Sequence, residues 1–451
     1  LYDDAERLHQ EGRLSEAGKL YQKVLQLEPT HADSLHMLGI MAYQTGRFEI
    51  AAGLFKQAIT HNKGEPSYFN NLGNALQALG KPNAAESCYL EALKLDFENP
   101  DIYNNLGSAV QAQGRSEDAL EHYNRALTLR PDFPQAHFNL AGALMKLERP
   151  KDALSHFERT VALDPQHAEA HRNAGYNQQH LGHVDAAISC YMRALALDSH
   201  DADTHFFLGS VYQEQEKLSK AAQCYETALS INPNHAKARN NLGYTLQVRG
   251  ELDEAIHQFN RALQITPDYP DAINNLGYTL QQQGKLDEAL SLYEQVLSLD
   301  PHYAEAHNNI ANILKEQGRF EAAIKKYDHA LQIKPDFAIA HFNRADIKTF
   351  HSGDSDLTAL ENLASNSESM PTPAARYVHF ALAKAFDDIG EYSKSFEHLL
   401  KGNALARQIL AYDEEIMAKY TQRLIDATDR SFFEHRQTVG ASSEAPIFIV
   451  G

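Results

Sequence analysis

The sequence predicts an all-α fold, a solenoid of stacked helix–turn–helix units, because three series of residues recur every 34 positions. One series is a Leu-Gly pair or a close variant of it, the second is an alanine, and the third is an aromatic residue four positions after that alanine. The pairs are Leu38-Gly39, Leu72-Gly73, Leu106-Gly107, Leu140-Ala141, Ala174-Gly175, Leu208-Gly209, Leu242-Gly243, Leu276-Gly277 and Ile310-Ala311. The alanines are Ala17, Ala51, Ala85, Ala119, Ala153, Ala187, Ala221, Ala255, Ala289 and Ala323. The aromatic residues are Tyr21, Phe55, Tyr89, Tyr123, Phe157, Tyr191, Tyr225, Phe259, Tyr293 and Tyr327.

Helix geometry explains this spacing. If Gly39 and its equivalents are numbered position 8 of each unit, positions 4, 7, 8 and 11 share one face of a first helix. Small residues at positions 8 and 20 let the second helix approach closely, and the aromatic residue at position 24 fills the remaining gap. One pair of helices cannot cover its own apolar face, so neighbouring units must stack.

The ends of the helices are also marked. Glycine at position 15 ends the first helix because it adopts positive φ without strain, and proline at position 32 ends the second helix. The glycines are Gly46, Gly80, Gly114, Gly182, Gly250, Gly284 and Gly318. The prolines are Pro29, Pro131, Pro165, Pro233, Pro267, Pro301 and Pro335.

The combination of Leu-Gly, Ala, aromatic and Pro positions resembles the tetratricopeptide-repeat (TPR) family over residues 1–350, in ten 34-residue units. The resemblance implies a right-handed superhelix that binds a protein or peptide in its concave groove.

Composition excludes several classes of partner. A formal net charge of −19 argues against a nucleic-acid surface and against an anionic membrane surface, since both need clustered Lys and Arg. No apolar run reaches the roughly 18 residues of a membrane span. Cys88, Cys190 and Cys224 form no CxxC motif and are interpreted as small buried residues. They fit a reducing compartment, and we expect a cytoplasmic protein.

The period fails near residue 350. Residues 351–375 are rich in Ser, Asp, Asn and Pro and are predicted to form a linker with a short helix. A degenerate TPR-like unit is predicted at 376–409, where Leu382-Ala383 replaces Leu-Gly. A linker helix is predicted at 410–436.

Residues 437–451 predict a flexible segment followed by a strand, Pro446–Gly451. A short apolar run that ends in Gly is typical of a buried parallel strand, and nothing upstream offers it a sheet. We therefore expect the strand to be the first element of a truncated α/β domain.

The stretch 375–451 resembles the junction of bacterial TPR-sulfotransferase proteins, through Phe380–Tyr392, Lys401–Leu405, Tyr412-Asp413 and the closing strand. In that family the strand leads into a loop that cradles the 5′-phosphosulfate of 3′-phosphoadenosine 5′-phosphosulfate (PAPS). The resemblance implies that the complete protein is a PAPS-dependent sulfotransferase whose solenoid presents the acceptor. The loop would lie beyond Gly451, so no catalytic and no cofactor-binding residue is expected within these residues.

The candidate binding residues are asparagines at position 6 of the unit. Position 6 points about 200° away from position 4, hence away from the core of its own unit. Since Asn is a mediocre helix former, local propensity does not select it. An amide offers donors and an acceptor and can hold an extended peptide backbone, and the TPR arm of O-linked N-acetylglucosamine transferase carries a similar ladder. The alternatives are that duplication copied the asparagine or that it bonds a neighbouring helix. The set is Asn71, Asn105, Asn139, Asn173, Asn241, Asn275, Asn309 and Asn343.

Other recurring polar residues have simpler interpretations. Gln77, Gln111, Gln179, Gln213, Gln247 and Gln281 recur at position 12, and Tyr176, Tyr244 and Tyr278 at position 9, which indicates either a polar groove or a solvated helix face. His137, His171, His205, His307 and His341 share the core-facing position 4, where packing explains them. His167 and His171 have metal-compatible spacing but no third ligand, so no metal site is predicted.

Two other functions stay open besides the sulfotransferase arm. One is a non-enzymatic TPR scaffold or adaptor, which predicts no α/β domain downstream. The other is the TPR arm of an O-linked N-acetylglucosamine transferase-like glycosyltransferase, which the degenerate unit and linker fit poorly.

Overall fold

The computed structural model describes residues 1–409, Lys419 and Thr421–Arg423. The chain divides into two compact units, Leu1–Pro267 and Asp268–Gly451. All secondary structure within the described residues is helical, which confirms the all-α prediction. Lys419 and residues 421–423 are helical, and the rest of the predicted linker helix at 410–436 lies outside the described residues. The predicted strand Pro446–Gly451 lies outside the described residues.

The first unit consists of helix pairs in which an A helix is followed by a B helix. The bounds are α1 Tyr2–Gln10, α2 Leu14–Leu27, α3 Ala32–Gln44, α4 Phe48–His61, α5 Pro66–Ala78, α6 Pro82–Leu95, α7 Pro100–Ala112, α8 Ser116–Leu129, α9 Pro134–Lys146, α10 Pro150–Leu163, α11 Ala168–His180, α12 Val184–Leu197, α13 Ala202–Glu214, α14 Leu218–Ile231, α15 Ala236–Val248 and α16 Leu252–Ile265. Each B helix from α2 to α14 packs against the next A helix. The A helices α3, α5, α7 and α9 also contact one another in turn, as do α11, α13 and α15. The A helices therefore form a layer, which we call the A-helix face.

The second unit begins with two further pairs and then departs from the pattern. The bounds are α17 Pro270–Gln282, α18 Leu286–Leu299, α19 Ala304–Glu316, α20 Phe320–Ile333, α21 Ala338–Ala345, α22 Ser355–Ser365, a 3-10 helix Ser367–Ser369, α23 Thr372–Asp388 and α24 Tyr392–Ile409. The A helix α21 is 8 residues long, whereas α19 has 13.

The aromatic residue at position 24 lies directly over the small residue at position 8. A Cβ atom added to Gly73 would lie 2.5 Å from the Tyr89 ring, and one added to Gly107 would lie 2.7 Å from Tyr123. Distances this short are not tolerated, so glycine is required where the ring sits closest. The predicted role of position 8 is confirmed, and the ten aromatic side chains at position 24 are at most 2% exposed. Truncating one of them to alanine is expected to cost about 3–5 kcal/mol.

The A helices from α1 to α19 end in the same backbone turn. In the repeat that contains Gly114, φ at the glycine is 83° and the Arg115 N–H bonds the Val110 carbonyl, which is the six-to-one bond of a Schellman motif. Two repeats form the same turn without glycine, since φ is 57° at Glu148 and 58° at Glu216. The turn is therefore imposed by the packing of the pair and not by glycine alone.

The segment predicted as a linker at 351–375 is packed into the second unit. Leu357 and Leu360 of α22 are buried in one cluster with Phe350 and with residues of α21 and α23. The Arg344 guanidinium, 5% exposed, pairs with Asp328 at 2.5 Å and Asp356 at 2.9 Å. These contacts explain how the chain stays ordered where the 34-residue pattern has ended.

No helix within the described part of the chain is both long enough and apolar enough to span a bilayer.

Candidate functional site

The predicted binding asparagines bond neighbouring repeats. In the first unit Asn139 Nδ2 donates to Asn104 Oδ1 at 2.9 Å, and Asn105 Nδ2 donates to Asn70 Oδ1 at 3.1 Å. The acceptor is in both cases position 5 of the preceding A helix. Of the alternatives that the sequence left open, bonding to a neighbouring helix is therefore realised.

These bonds join into a chain because positions 5 and 6 of one repeat also bond each other. Asn104 Nδ2 donates to Asn105 Oδ1 at 3.4 Å, and Asn70 Nδ2 donates to Asn71 Oδ1 at 3.5 Å. Asn71 Nδ2 then lies 2.8 Å from His36 Nε2. We call this series the amide chain; in order it runs Asn139, Asn104, Asn105, Asn70, Asn71, His36.

The second unit contains a similar series. Asn343 Nδ2 donates to Asn308 Oδ1 at 3.4 Å, Asn308 Nδ2 to Asn309 Oδ1 at 3.3 Å, and Asn309 Nδ2 to Asn274 Oδ1 at 3.1 Å. Asn308 and Asn309 are 4% and 8% exposed, so here the amides are largely withdrawn from solvent. In the first unit Asn71, Asn105 and Asn139 are half-buried.

The chain leaves part of each amide unused. A carboxamide has two N–H donors and an oxygen with two lone pairs. An interior member of the amide chain uses one donor and one lone pair within the amide chain. Half-buried members such as Asn105 keep one donor and one lone pair for another partner. The predicted role of these residues in holding a peptide backbone stays a prediction.

The remaining predicted asparagines have other surroundings. Asn241 Nδ2 donates to the Tyr225 hydroxyl at 3.3 Å, and its Oδ1 accepts from Asn240 at 3.2 Å. Asn275 is half-buried in the second unit, and its backbone carbonyl accepts from the Thr279 hydroxyl at 2.7 Å. Asn173 is half-buried in the first unit and takes no part in the amide chain.

The position-5 asparagines were missed by reasoning from position 6 alone. The sequence does carry a signal for them, because Asn-Asn recurs as a dipeptide in register. The dipeptides are Asn70-Asn71, Asn104-Asn105, Asn240-Asn241, Asn274-Asn275 and Asn308-Asn309.

The glutamines at position 12 satisfy buried tyrosine hydroxyls. The Tyr123 hydroxyl donates to Gln111 Oε1 at 2.7 Å, and the Tyr191 hydroxyl donates to Gln179 Oε1 at 3.0 Å. The same bond forms at Tyr89–Gln77, Tyr225–Gln213 and Tyr293–Gln281. Burial raises the pKa of each of these tyrosines, which therefore stay protonated and can donate. Most position-12 glutamines thus have a structural role.

The histidines at position 4 have a shared role beyond packing. Each directs Nε2 at the backbone carbonyl of position 32 in the preceding repeat, as in His137 to Pro131 at 3.0 Å and His341 to Pro335 at 2.9 Å. The other three bonds are His171–Pro165, His205–Ser199 and His307–Pro301. A carbonyl only accepts, so Nε2 carries the proton, and burial lowers the pKa of His137 and His341.

The described residues offer no metal centre. No three His, Cys, Asp or Glu side chains lie together in this part of the chain in a way that could hold an ion. Of the pair with metal-compatible spacing, His167 uses Nδ1 to accept from the Ala170 N–H at 3.2 Å, so it caps α11.

Comparison with protein families decides the identity of the repeat. Family models described as tetratricopeptide repeat match residues 31–60, 65–132, 104–168, 138–202, 202–235, 234–302 and 268–336. Together these stretches cover more than half of the 451 residues. The chain belongs to the tetratricopeptide-repeat family. The TPR resemblance of the sequence is thereby confirmed.

Individual relatives of this TPR chain are distant. An uncharacterised protein of Aquifex aeolicus is 28% identical over 106 residues, 24% of this chain and 14% of that protein. The chain therefore spans about one seventh of the length of that curated relative.

Several solved structures are similar to parts of this chain. YrrB, described as a TPR protein with an unusual peptide-binding site, is 28% identical with a TM-score of 0.36, over 41% of this chain and 95% of that one. MamA is 27% identical with a TM-score of 0.34, over 40% and 97%. The Cut9–Hcn1 hetero-tetramer of the APC/C is 16% identical with a TM-score of 0.49, over 77% and 82%. The TM-scores lie below 0.5, so the family assignment rests on the repeat models.

Proposed function

We propose that this TPR chain is a protein-binding solenoid that holds an extended segment of a partner against the A-helix face. The observation that supports this is the amide chain of the first unit, whose half-buried members keep one donor and one acceptor each. An extended backbone presents N–H and C=O groups in alternation, so such amides bind it without demanding particular side chains. The net charge of −19 makes a nucleic acid a poor alternative partner.

The amide chain would also prepare the site for binding. Hydrogen bonds between neighbouring carboxamides hold each side chain in one rotamer, and groups that are already ordered lose less entropy when a ligand binds. The structural and binding roles are therefore compatible at the same residue.

Asn139 offers the clearest test because it is the first residue of the amide chain. Its Nδ2 donates to Asn104, and its Oδ1 accepts from the exposed Gln135 at 3.0 Å. Peptides selected by panning a phage-displayed random library on the whole chain serve as probes, and their affinities are measured by titration calorimetry. We expect Asn139→Ala to weaken binding by about tenfold, as loss of a well-placed interface contact does.

A control separates binding from general damage. Gln223 is an exposed amide on the B helix α14, and Gln223→Ala is expected to leave affinity unchanged. Circular dichroism confirms that both variants are folded. Equal affinity of Asn139→Ala and the parent chain would mean that the amide chain is only structural, and the proposal would be rejected.

The sulfotransferase arm is a finer proposal that the sequence resemblance supports. Its strand, Pro446–Gly451, lies outside the described residues, while the degenerate unit at 376–409 lies within α23 and α24. In this proposal the solenoid presents the acceptor to a PAPS-dependent domain, and PAPS is the cofactor of the complete protein. Transfer of labelled sulfate from PAPS by the complete protein supports it. Transfer of sugar from UDP-N-acetylglucosamine would instead identify the glycosyltransferase alternative. If the protein transfers neither sulfate nor sugar, the non-enzymatic scaffold is favoured.

A further inference from the structure

The amide chain of the first unit stops at Asn139, and the reason is the residue type at three positions around Asn173. For Asn173 to continue the chain, position 5 of the preceding repeat would have to accept, but that position is Phe138. Position 5 of its own repeat would have to donate to Asn173, as Asn104 does to Asn105, but that position is Arg172. Position 6 of the following repeat, which would carry the next link, is Phe207. Aromatic residues therefore replace amides in this stretch, and the Asn173 amide is left outside the chain.

The aromatic residues form a cluster around Tyr176. The ring of Tyr176 lies 5.3 Å from Phe207 and 4.9 Å from His180, and its hydroxyl lies 3.0 Å from His180 Nε2. Phe207 in turn stacks on the core residue Tyr191, with centroids 6.0 Å apart and an interplanar angle of 11°. One side of the cluster is fixed to the core while Tyr176 remains 38% exposed. We call Asn173, Tyr176, His180 and Phe207 the aromatic patch.

Charge near the patch is already neutralised. Arg172, at position 5 of the same repeat, pairs with Asp201 at 2.7 Å and Glu169 at 3.1 Å. His180 is engaged with the Tyr176 hydroxyl. The patch thus offers ring faces and one amide, but no unpaired cation among these side chains for an acidic group.

We propose that the aromatic patch is the anchor site for one large apolar side chain, aromatic or branched aliphatic, of the extended peptide that the A-helix face holds. This deepens the proposed function and rests on it. The patch lies one repeat beyond Asn139, so a peptide bound along the amide chain continues directly onto it. The amides bind the backbone, and the patch selects the side chain.

Ring faces favour such an occupant. Aromatic side chains gain from edge-to-face or offset contact with a further ring and from apolar burial, and this does not require a charged partner. The Asn173 amide can bond the peptide group next to the anchor, because neither neighbouring repeat supplies it with an amide partner at positions 5 and 6.

The chain provides a matched control for the key residue. Tyr244 occupies the same repeat position as Tyr176 and is 40% exposed, but position 6 of the repeat that follows it is Asn275, where the repeat that follows Tyr176 has Phe207. Both tyrosines can be truncated with little effect on the core. Any difference between them reports the aromatic patch and not the loss of an exposed ring.

The experiment uses the whole chain and peptides selected on it from the random library. We expect the selected peptides to share one large apolar residue, and replacing that residue by alanine to lower affinity by about tenfold or more. Tyr176→Ala is expected to give a similar loss with the parent peptide and no further loss with the alanine peptide. Tyr244→Ala is expected to leave both affinities within about twofold of the parent chain.

The outcomes separate this inference from the proposed function. If Asn139→Ala weakens binding but Tyr176→Ala does not, the anchor site is wrong and peptide binding stands. Equal losses from Tyr176→Ala and Tyr244→Ala would also overturn the anchor site. If no peptide is selected, both proposals fail.

Discussion

Glu216 occupies a left-handed turn that glycine occupies in most other repeats, and replacing it should stabilise the chain. Its φ of 58° costs a residue with a Cβ atom roughly 1–2 kcal/mol. Glycine removes this cost but gives back about 0.5–1 kcal/mol through the greater freedom of the unfolded chain. We therefore expect Glu216→Gly to stabilise its repeat by about 0.5–1 kcal/mol.

The surroundings of Glu216 indicate that the free-energy change of Glu216→Gly comes from the backbone conformation alone. Its side chain is exposed, so truncation removes no packing. The turn already has the bonds of the glycine repeats, since the Lys217 N–H bonds the Tyr212 carbonyl at 2.9 Å. Only the backbone conformation changes in cost.

Two controls fix the interpretation. Glu216→Ala removes the same side chain but keeps the Cβ atom, so it should be near neutral. Gly114→Ala adds a Cβ atom that would have no neighbour within 4 Å, so it should destabilise purely through φ, by about 1 kcal/mol.

Hydrogen exchange of α13 and α14, followed by mass spectrometry, is a suitable assay because it reports the opening of individual repeats. In a long repeat array a single global unfolding free energy is not well defined. We expect exchange in Glu216→Gly to be about two- to fivefold slower, following the free-energy change above. If Glu216→Ala slows exchange as much as Glu216→Gly, or if Glu216→Gly does not slow exchange, the inferred strain at this turn is wrong.

Two further predictions concern buried hydrogen bonds. Burial lowers the pKa of His36 from 6.5 to about 4. Between these two pH values the unfolded chain binds a proton that the native state does not bind. Stability should therefore fall as the pH drops from about 6.5 toward about 4, by at most about 1.4 kcal/mol per pH unit. His36→Asn supplies the amide that position 5 has elsewhere, keeps a partner for Asn71, and should remove this contribution. Hydrogen exchange of α3 and α5, compared between the two proteins at each pH, is the measurement, and an equal loss of protection toward acid in both would contradict it. Tyr123→Phe should destabilise by about 1 kcal/mol because Gln111 loses its donor, whereas Tyr21→Phe should be neutral or stabilising because the buried Tyr21 hydroxyl has no partner among the described residues. Hydrogen exchange of the two helix pairs compares these variants, and a cost at Tyr21 equal to that at Tyr123 would show that the glutamine bond contributes nothing.

Several features of this protein follow from the sequence alone. The 34-residue period places the helices, and the spacing of small and aromatic residues predicts which atoms meet, as Gly73 and Tyr89 do. The period also identifies Glu148 and Glu216 as residues in a glycine position. These inferences succeed because contacts within one helix pair depend on helix geometry and on residues close in sequence.

The partners of the asparagines could not be read in the same way. Asn105 and Asn70 are 35 residues apart, and whether their amides meet depends on how one A helix is offset along the next. That offset is set by the packing of whole repeats, so the sequence left ligand binding, duplication and bonding to a neighbouring helix open as explanations of these asparagines. Only the tertiary structure showed that position 6 reaches position 5 of the preceding repeat.

The interruption of the amide chain can be read partly from the sequence and partly only from the tertiary structure. The sequence alone shows that Phe138 and Phe207 stand where other repeats have asparagine. Only the tertiary structure shows that Asn173 is therefore left outside the amide chain and that Tyr176 lies together with His180 and Phe207 on the A-helix face. The sequence determined the repeat and its core because those contacts are local, while the stacking of repeats decided which polar groups are spent on the fold and which remain for a partner.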